Sequence, residues 1–186
     1  MRTMMYASFL LMCCFAISEQ SCWCGSKSTQ RNVCNSHIVV EAKIESYSEN
    51  AYDRNYQISA KKFYKGKEEW YDKLADKTTL VTPKDFSVCG PVDLKVGFSY
   101  ILTVYVTRGK MHNTHCDLQV EASKATNTLL EGLDGKYLKN CDCKIPHEMD
   151  EPQVFRSPNL CEHFHCGNRD ILCARDVNGH CNWQPC

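Results

Sequence analysis

The sequence has no excess of charge of either sign. Its 186 residues include 22 Lys and Arg and 22 Asp and Glu, so the formal net charge at pH 7 is zero. Proteins that bind nucleic acid or anionic membranes through surface charge usually carry a basic excess. We therefore expect no nucleic-acid partner and no electrostatic attachment to a membrane.

The motifs of common catalytic sites are also missing from the sequence. It contains no HExxH helix, no phosphate-binding glycine loop and no recognisable Ser/His/Asp set. It has no Asn-x-Ser/Thr sequon, which predicts a chain without N-linked glycans. From these absences we expect a protein that is not an enzyme and that needs no cofactor of its own.

Long apolar runs are absent beyond the N-terminal region. Residues 4–17 are mostly apolar, follow the positive charge of Arg2 and precede small residues, which is typical of a secretory signal peptide. The run is too short to span a membrane. The sequence thus predicts a secreted protein with no membrane span and about 165 residues in its mature form.

The cleavage site of this signal peptide stays open between two positions. A cut after Ser21 makes Cys22 the first residue of the mature chain. A cut after Ser18 places Ala16 and Ser18 where small residues are preferred, and the mature chain then begins at Glu19.

Cysteine is abundant. Of 14 cysteines, Cys13 and Cys14 lie in the predicted signal peptide, which leaves an even number in the mature chain. In an oxidising compartment this number predicts six disulfides, although spacing alone does not give their connectivity. The remaining cysteines are Cys22, Cys24, Cys34, Cys89, Cys116, Cys141, Cys143, Cys161, Cys166, Cys173, Cys181 and Cys186.

Two other clusters have an alternative interpretation. Cys161, His163, His165 and Cys166 have the composition of a zinc site, but the secretory signal favours disulfides there. Four aromatic residues near lysines have the composition of a nucleic-acid-binding face, but neutral charge and secretion favour a packed strand end. These four are Phe63, Tyr64, Trp70 and Tyr71.

The hydrophobic pattern from residue 33 to residue 107 is mostly that of β-strands. Strands are predicted at residues 37–47, 55–64, 78–82 and 98–107, with a short one at 117–121. Residues 98–107 are apolar on both faces, so this strand is expected to be covered on both sides.

Residues 122–139 have an approximately helical apolar stripe, which Gly132 and Gly135 weaken, so one helix or two short helices are both possible. Consecutive strands followed by helix favour a mainly β fold, a small closed barrel with flanking α-helices. The end of the chain is rich in cysteine and poor in apolar runs, which predicts a disulfide-held C-terminal part. Trp183 is expected to pack against its disulfides.

Short strings of residues around the cysteines resemble the tissue inhibitors of metalloproteinases, a family built on the netrin-like module. The strings are Val33-Cys34-Asn35 with residues 38–43, residues 62–66, Ser87-Val88-Cys89-Gly90, residues 109–112 with Cys116-Asp117, residues 141–145, and Cys173 with residues 179–183. Their order and the cysteine intervals match the family pattern, in which the first string leads into the first strand.

This resemblance implies a five-stranded barrel of the oligonucleotide/oligosaccharide-binding type and a small disulfide-rich C-terminal subdomain. It implies a signal peptide at 1–21, a netrin-like inhibitory domain at 22–141 and a short cysteine-rich subdomain at 142–186. The implied disulfides are Cys22–Cys89, Cys24–Cys116, Cys34–Cys141 and Cys143–Cys181, with Cys161, Cys166, Cys173 and Cys186 paired among themselves.

The resemblance also implies a function and a site. The implied function is inhibition of zinc metalloproteases of the matrix metalloproteinase type, which would be the partners. The only metal would be the zinc of the target, which the amine and carbonyl of Cys22 would chelate. Trp23 stands where the family usually has a small polar residue, so its indole either suits a deep specificity pocket or blocks a shallow one. The implied contact residues are Cys22, Trp23, Cys24, Gly25, Ser87, Val88 and Cys89.

An alternative function stays open at this point. A netrin-like module that binds matrix or a receptor, without inhibiting a protease, has the same cysteine pattern. In either case we expect a monomer.

Overall fold

The computed structural model of this chain describes residues 22–25, 28–146, 157–161 and 170–184. The predicted signal peptide lies outside the described residues. So do His163, His165, Cys166 and Cys186.

The larger part of the described chain is a closed five-stranded β-barrel. The barrel strands are β1 (Ile38–Glu49), β2 (Asp53–Lys65), β3 (Thr79–Pro83), β4 (Ser99–Thr107) and β5 (Lys110–His112). They pair in the order β1-β2-β3-β5-β4, and β4 pairs back onto β1 to close the barrel. All these pairings are antiparallel except that of β3 with β5. A short strand, β6 (Gln119–Glu121), adds to the other edge of β4.

Strand β4 explains why the sequence is apolar on both faces there. Its residues Tyr100, Leu102 and Val104 point into the barrel core, together with the alternating apolar residues of β1. Ile101 points to the opposite side, into a second cluster between the barrel and the helices. The predicted mainly β barrel with flanking helices is confirmed.

A helix that the hydrophobic pattern did not predict precedes the barrel. Residues 33–35 were predicted to lie in a mostly β segment, but they end α1 (Thr29–Asn35). Ser28 caps this helix by accepting a hydrogen bond from the backbone N–H of Arg31 at 3.5 Å. The helix is too short for a clear apolar period, and Val33 is buried in the second cluster.

Residues 122–139 form short helical segments, so the prediction of two short helices is the correct one. A 3₁₀ turn (Ala122–Lys124) precedes α2 (Asn127–Glu131), and α3 (Tyr137–Lys139) follows. The segments are separated by non-helical backbone at Asp134 and at Gly135, where φ is 111°. Gly135 adopts this left-handed conformation, which side chains disfavour, and so the helix cannot continue.

The described C-terminal residues form a small hairpin held by disulfides. Strands β7 (Cys173–Arg175) and β8 (Cys181–Trp183) pair antiparallel. Cys143–Cys181 and Cys161–Cys173 form a buried sulfur cluster against which Trp183 packs. Among the helices of the described residues, none is both long and apolar enough to cross a membrane.

Gly66, just after β2, lies very close to the backbone of His37, which follows α1. Its φ is +75°, and a Cβ there would lie 2.0 Å from the carbonyl oxygen of His37. We expect Gly66→Ala to lower the free energy of unfolding by about 1–3 kcal/mol more than Gly97→Ala does. Gly97 is the matched control because its φ of +87° is similar but its Cβ would meet no atom within 4 Å. Urea unfolding with the disulfides intact measures the free energy of unfolding of both variants. Equal losses of stability would contradict a steric clash at Gly66.

Candidate functional site

The first described residues, Cys22–Gly25, lie against an exposed turn of the barrel. The disulfide Cys22–Cys89 joins two segments that are 67 residues apart in sequence, with the two Cα atoms 5.0 Å apart. Cys24–Cys116 attaches the same segment to a second loop at the same Cα distance. Two disulfides whose first cysteines are two residues apart thus fix both the position and the direction of this segment.

The sulfur atoms of these two bonds lie close together. The Sγ atoms of Cys22 and Cys116, which are not bonded to each other, are 3.5 Å apart. Together with Cys89 they have the spacing of a metal-ligand cluster. Metal ions bind thiolates, and these sulfurs are all consumed in disulfides. The cluster is therefore a covalent anchor and not a metal site.

The exposed turn is a short 3₁₀ segment, Phe86–Val88, capped at its start by Asp85. The Asp85 Oδ1 atom accepts a hydrogen bond from the backbone N–H of Ser87 at 2.7 Å. Hydrogen bonds from Ser87 hold the pKa of Asp85 below its ordinary value. Gly90 ends the turn, where a Cβ would lie 2.4 Å from the carbonyl oxygen of Pro83.

Apolar side chains at this corner are unusually exposed. Trp23 is 50% exposed, and Phe86 and Val88 are 59% and 57% exposed. Single exposed apolar residues are common on protein surfaces, but several on adjoining segments are typical of a binding surface. We name this surface, formed by Cys22–Gly25 and Phe86–Cys89, the terminal ridge.

The terminal ridge contains all the contact residues predicted from the sequence: Cys22, Trp23, Cys24, Gly25, Ser87, Val88 and Cys89. The structure brings these residues together, and their contact with a protease stays a prediction. Phe86 was missed, because it stands outside the string that carried the resemblance.

The tip of the β1–β2 hairpin supports the exposed turn from one side. The backbone N–H of Lys84 donates to the carbonyl of Tyr52 at 2.9 Å. The Glu49 carboxylate contacts both the Lys84 ammonium at 2.9 Å and the Arg54 guanidinium at 2.7 Å. Asp85 follows Lys84 directly, so this charged contact holds the residue that starts the turn.

The loop that follows β5 supports the terminal ridge from the other side. The backbone N–H of His115 donates to the carbonyl of Cys89 at 2.7 Å. Cys116 carries the disulfide to Cys24. Only Cys116 and the string Cys116-Asp117 mark this loop in the sequence, since a contact between residues as distant as His115 and Cys89 leaves no local pattern.

Helix α1 and the C-terminal hairpin are also in contact. The buried side chain of Gln30 donates to the carbonyls of Asn140 at 3.1 Å and Cys173 at 2.9 Å, and it accepts from the N–H of Cys173 at 2.8 Å. Thr29 donates to the carboxylate of Asp170 at 2.8 Å. The hairpin is therefore attached to the helix that directly follows the terminal ridge.

The structure bears on both clusters for which the sequence left an alternative interpretation, and the first is the Cys/His cluster. Cys161 is bonded to Cys173, which removes it as a zinc ligand. His163, His165 and Cys166 lie outside the described residues.

The four aromatic residues beside the lysines form a packed strand end. Phe63 and Tyr71 lie against the barrel core, and their rings are 4.6 Å apart. Tyr64 packs in the second cluster, and Trp70 stacks on His37 at 4.0 Å.

The fold and the site define a disulfide-linked β-barrel protein that presents an N-terminal segment beside an exposed turn. The family model described as "Tissue inhibitor of metalloproteinase" matches residues 20–183. This chain therefore belongs to the tissue inhibitor of metalloproteinase family.

Several curated relatives are similar over most of their length. Metalloproteinase inhibitor 3 of Scyliorhinus torazame is 26% identical over 179 residues, which cover 89% of this chain and 81% of the relative. Metalloproteinase inhibitor 2 of Homo sapiens is 29% identical over 184 residues, covering 92% and 78%. Metalloproteinase inhibitor 2 of Cavia porcellus is 30% identical over 173 residues, covering 86% and 73%. The disulfides of the described residues include all four specific pairs that the resemblance implied.

The pKa values of two carboxylates flanking the terminal ridge are expected to be shifted in opposite directions. Hydrogen bonds lower the pKa of Asp85, whereas burial raises the pKa of Asp117. Stability from Asp85 is thus present above about pH 3.9 and is lost as the pH falls through its lower folded pKa. For Asp117 the sign reverses, and its contribution falls as the pH rises through its higher folded pKa.

NMR titration of the side-chain carboxyl carbons measures this difference. Asp85→Asn and Asp117→Asn assign the two signals. An Asp85 that titrates at or above the pKa of Asp117 would contradict the description of both sites.

Proposed function

We propose that this chain is a secreted inhibitor of zinc metalloendopeptidases of the matrix metalloproteinase type. The observation that carries the proposal is the terminal ridge, in which two disulfides hold Cys22 and Cys24 beside an exposed turn. Membership of the family and relatives named metalloproteinase inhibitors favour inhibition over a non-inhibitory matrix-binding or receptor-binding role.

The proposed mechanism is chelation of the target's catalytic zinc by Cys22. A catalytic zinc carries three protein ligands and a water at an open position. The α-amine and carbonyl of one residue form a five-membered ring with a metal, and only a chain terminus offers both groups. The ordinary pKa of an α-amine is about 7.7–8.0, so the neutral amine is accessible near neutral pH.

This mechanism requires that the signal peptide be cut after Ser21. The Ser18 cut would leave three residues before Cys22, and the amine of Cys22 would then be a peptide nitrogen. We infer the Ser21 cut from the mechanism.

The two disulfides give the terminus the rigidity that tight binding needs. Ordering a free backbone costs roughly 1–2 kcal/mol per residue, and a partner would have to supply that free energy on binding. The disulfides close loops of 67 and 92 residues, so this ordering happens during folding. Preorganisation of this kind raises affinity without adding contacts.

The remaining contacts are proposed from exposure. Trp23 would enter the pocket next to the zinc, while Ser87, Val88 and Cys89 would flank the cleft, with Phe86 beside them. Gly25, which has a left-handed backbone conformation with φ of 63°, would complete the contact segment. The inhibitor would act as a monomer outside the cell, without catalytic residues or a cofactor, since the zinc belongs to the target.

The domain division is also a proposal. Residues 22–141 would form the netrin-like inhibitory domain and residues 142–186 a short cysteine-rich subdomain. The contacts of Gln30 and Thr29 with the C-terminal hairpin indicate that the two parts would be joined firmly at α1.

Extending the terminus is the most direct test. One alanine added before Cys22 converts the amine into an amide that cannot chelate, and we expect loss of inhibition by at least about a thousandfold. Inhibition constants against a panel of matrix metalloproteinases measure the effect. The N-terminus of each preparation is verified by mass spectrometry.

The matched control is the chain that begins at Cys22. The added residue lies outside the barrel, so both proteins should show the same thermal unfolding. Retention of potency by the extended protein would refute chelation.

Trp23 decides which targets fit. We expect Trp23→Thr to gain inhibition of proteases with a shallow specificity pocket and to lose about tenfold or more against those with a deep one, because indole burial contributes several kcal/mol. Val88→Thr, on the neighbouring segment, is the control for general loss of apolar surface. A uniform change across the panel would contradict a pocket-specific role for Trp23.

A further inference from the structure

The loop after β5 contains a carboxylate that neither the barrel nor the proposed zinc contact uses. We propose that Asp117 is a positioning residue that fixes the two halves of the terminal ridge, Cys22–Gly25 and Phe86–Cys89, relative to each other. The inference rests on the proposed function for its effect on inhibition, but its structural part can be measured without a protease.

The carboxylate closes a four-residue turn upon itself. The Asp117 Oδ2 atom accepts from the backbone N–H of Thr114 at 2.6 Å and from the Thr114 hydroxyl at 2.9 Å. The N–H of Asp117 donates to the carbonyl of Thr114 at 3.0 Å. The N–H of Cys116 donates to the Thr114 hydroxyl at 3.3 Å. Both side-chain bonds of Asp117 are thus spent on the shape of the turn.

This turn contacts both halves of the terminal ridge. Its His115 N–H binds the carbonyl of Cys89, which follows the exposed Phe86–Val88 turn. Its Cys116 is bonded to Cys24, two residues after the proposed zinc-binding residue. A change in the turn would move these two attachments relative to each other, and so would change the angle between Cys22 and the exposed turn.

The barrel holds the ends of the turn without help from Asp117. The buried Asn113 donates from its side chain to the carbonyl of Thr103 at 2.8 Å and from its backbone to the carbonyl of Val81 at 3.1 Å. On the other side, the N–H of Leu118 donates to the Thr103 hydroxyl at 2.9 Å. Loss of the carboxylate should therefore loosen the turn and leave the barrel intact.

The carboxylate also has a cost that the fold does not require. Asp117 is partly buried, and burial raises its pKa. None of the ion pairs among the described residues involves Asp117. A desolvated carboxylate without a cationic partner is unfavourable, so the two hydrogen bonds to Thr114 are made at a cost in stability.

Two substitutions separate positioning from stability. Asp117→Asn keeps an acceptor oxygen for both Thr114 bonds and removes the charge. Asp117→Leu keeps the branched arrangement of four heavy atoms and accepts no hydrogen bond. We expect the Leu variant to raise the inhibition constant about tenfold or more, as when one or two residues must be ordered on binding, and the Asn variant to stay within about threefold of the original chain.

Amide hydrogen exchange at His115 reports the turn directly. We expect exchange in the Leu variant to be faster by about tenfold or more, and exchange in the Asn variant to match that of the original chain. The melting temperature should fall by no more than a few degrees in the Leu variant and should be unchanged or higher in the Asn variant. Peptide mapping verifies that both variants keep Cys22–Cys89 and Cys24–Cys116.

Two kinds of result would overturn the proposal. If the Asp117→Leu variant matched the original chain in both amide exchange at His115 and inhibition, the carboxylate would not hold the turn. Parallel loss of stability in both variants, or failure of both to form the disulfides, would make Asp117 a purely structural residue. If the original chain beginning at Cys22 inhibits nothing, the proposed function fails, while the exchange at His115 still decides whether Asp117 holds the turn.

Discussion

The fixed position of the segment Cys22–Gly25 depends on two neighbouring disulfides. Cys22–Cys89 and Cys24–Cys116 attach consecutive parts of a short segment to two different loops, so the segment can neither slide nor rotate. A single disulfide would leave the segment free to rotate about that bond. Trp23 and Val88 can stay exposed because the disulfides of the neighbouring cysteines, and not burial of their own side chains, hold these two residues in place.

The barrel provides the rigid frame to which those loops are attached. Strand β4 pairs with β1 along one edge and with β5 and β6 along the other, and its side chains enter two separate apolar clusters. The loops that carry Cys89 and Cys116 leave the barrel from the neighbouring strands β3 and β5. Because these strands pair side by side, cysteines distant in sequence reach the same corner.

Carboxylates act at the terminal ridge by shaping turns. Asp85 accepts a backbone hydrogen bond at the start of the exposed turn, and Asp117 closes the turn that contacts it. Glu49 holds Lys84 beside the first of these turns. The ridge thus combines an apolar outer surface with polar support behind it, which is the arrangement expected of a preorganised binding surface.

The sequence by itself determined four of the five barrel strands, the cysteine framework and the family. Apolar alternation along β1 and β4 is a local signal, and the cysteine intervals can be compared directly with the pattern of a family. Helix α1, the three-residue strand β5 and the contacts of the turn at Asp117 were decided only by tertiary structure. Each depends on partners far away along the chain, as Lys110–His112 does on β3 and β4, and as His115 does on Cys89. Segments this short carry too few residues for a period, so contacts and not propensity select their conformation.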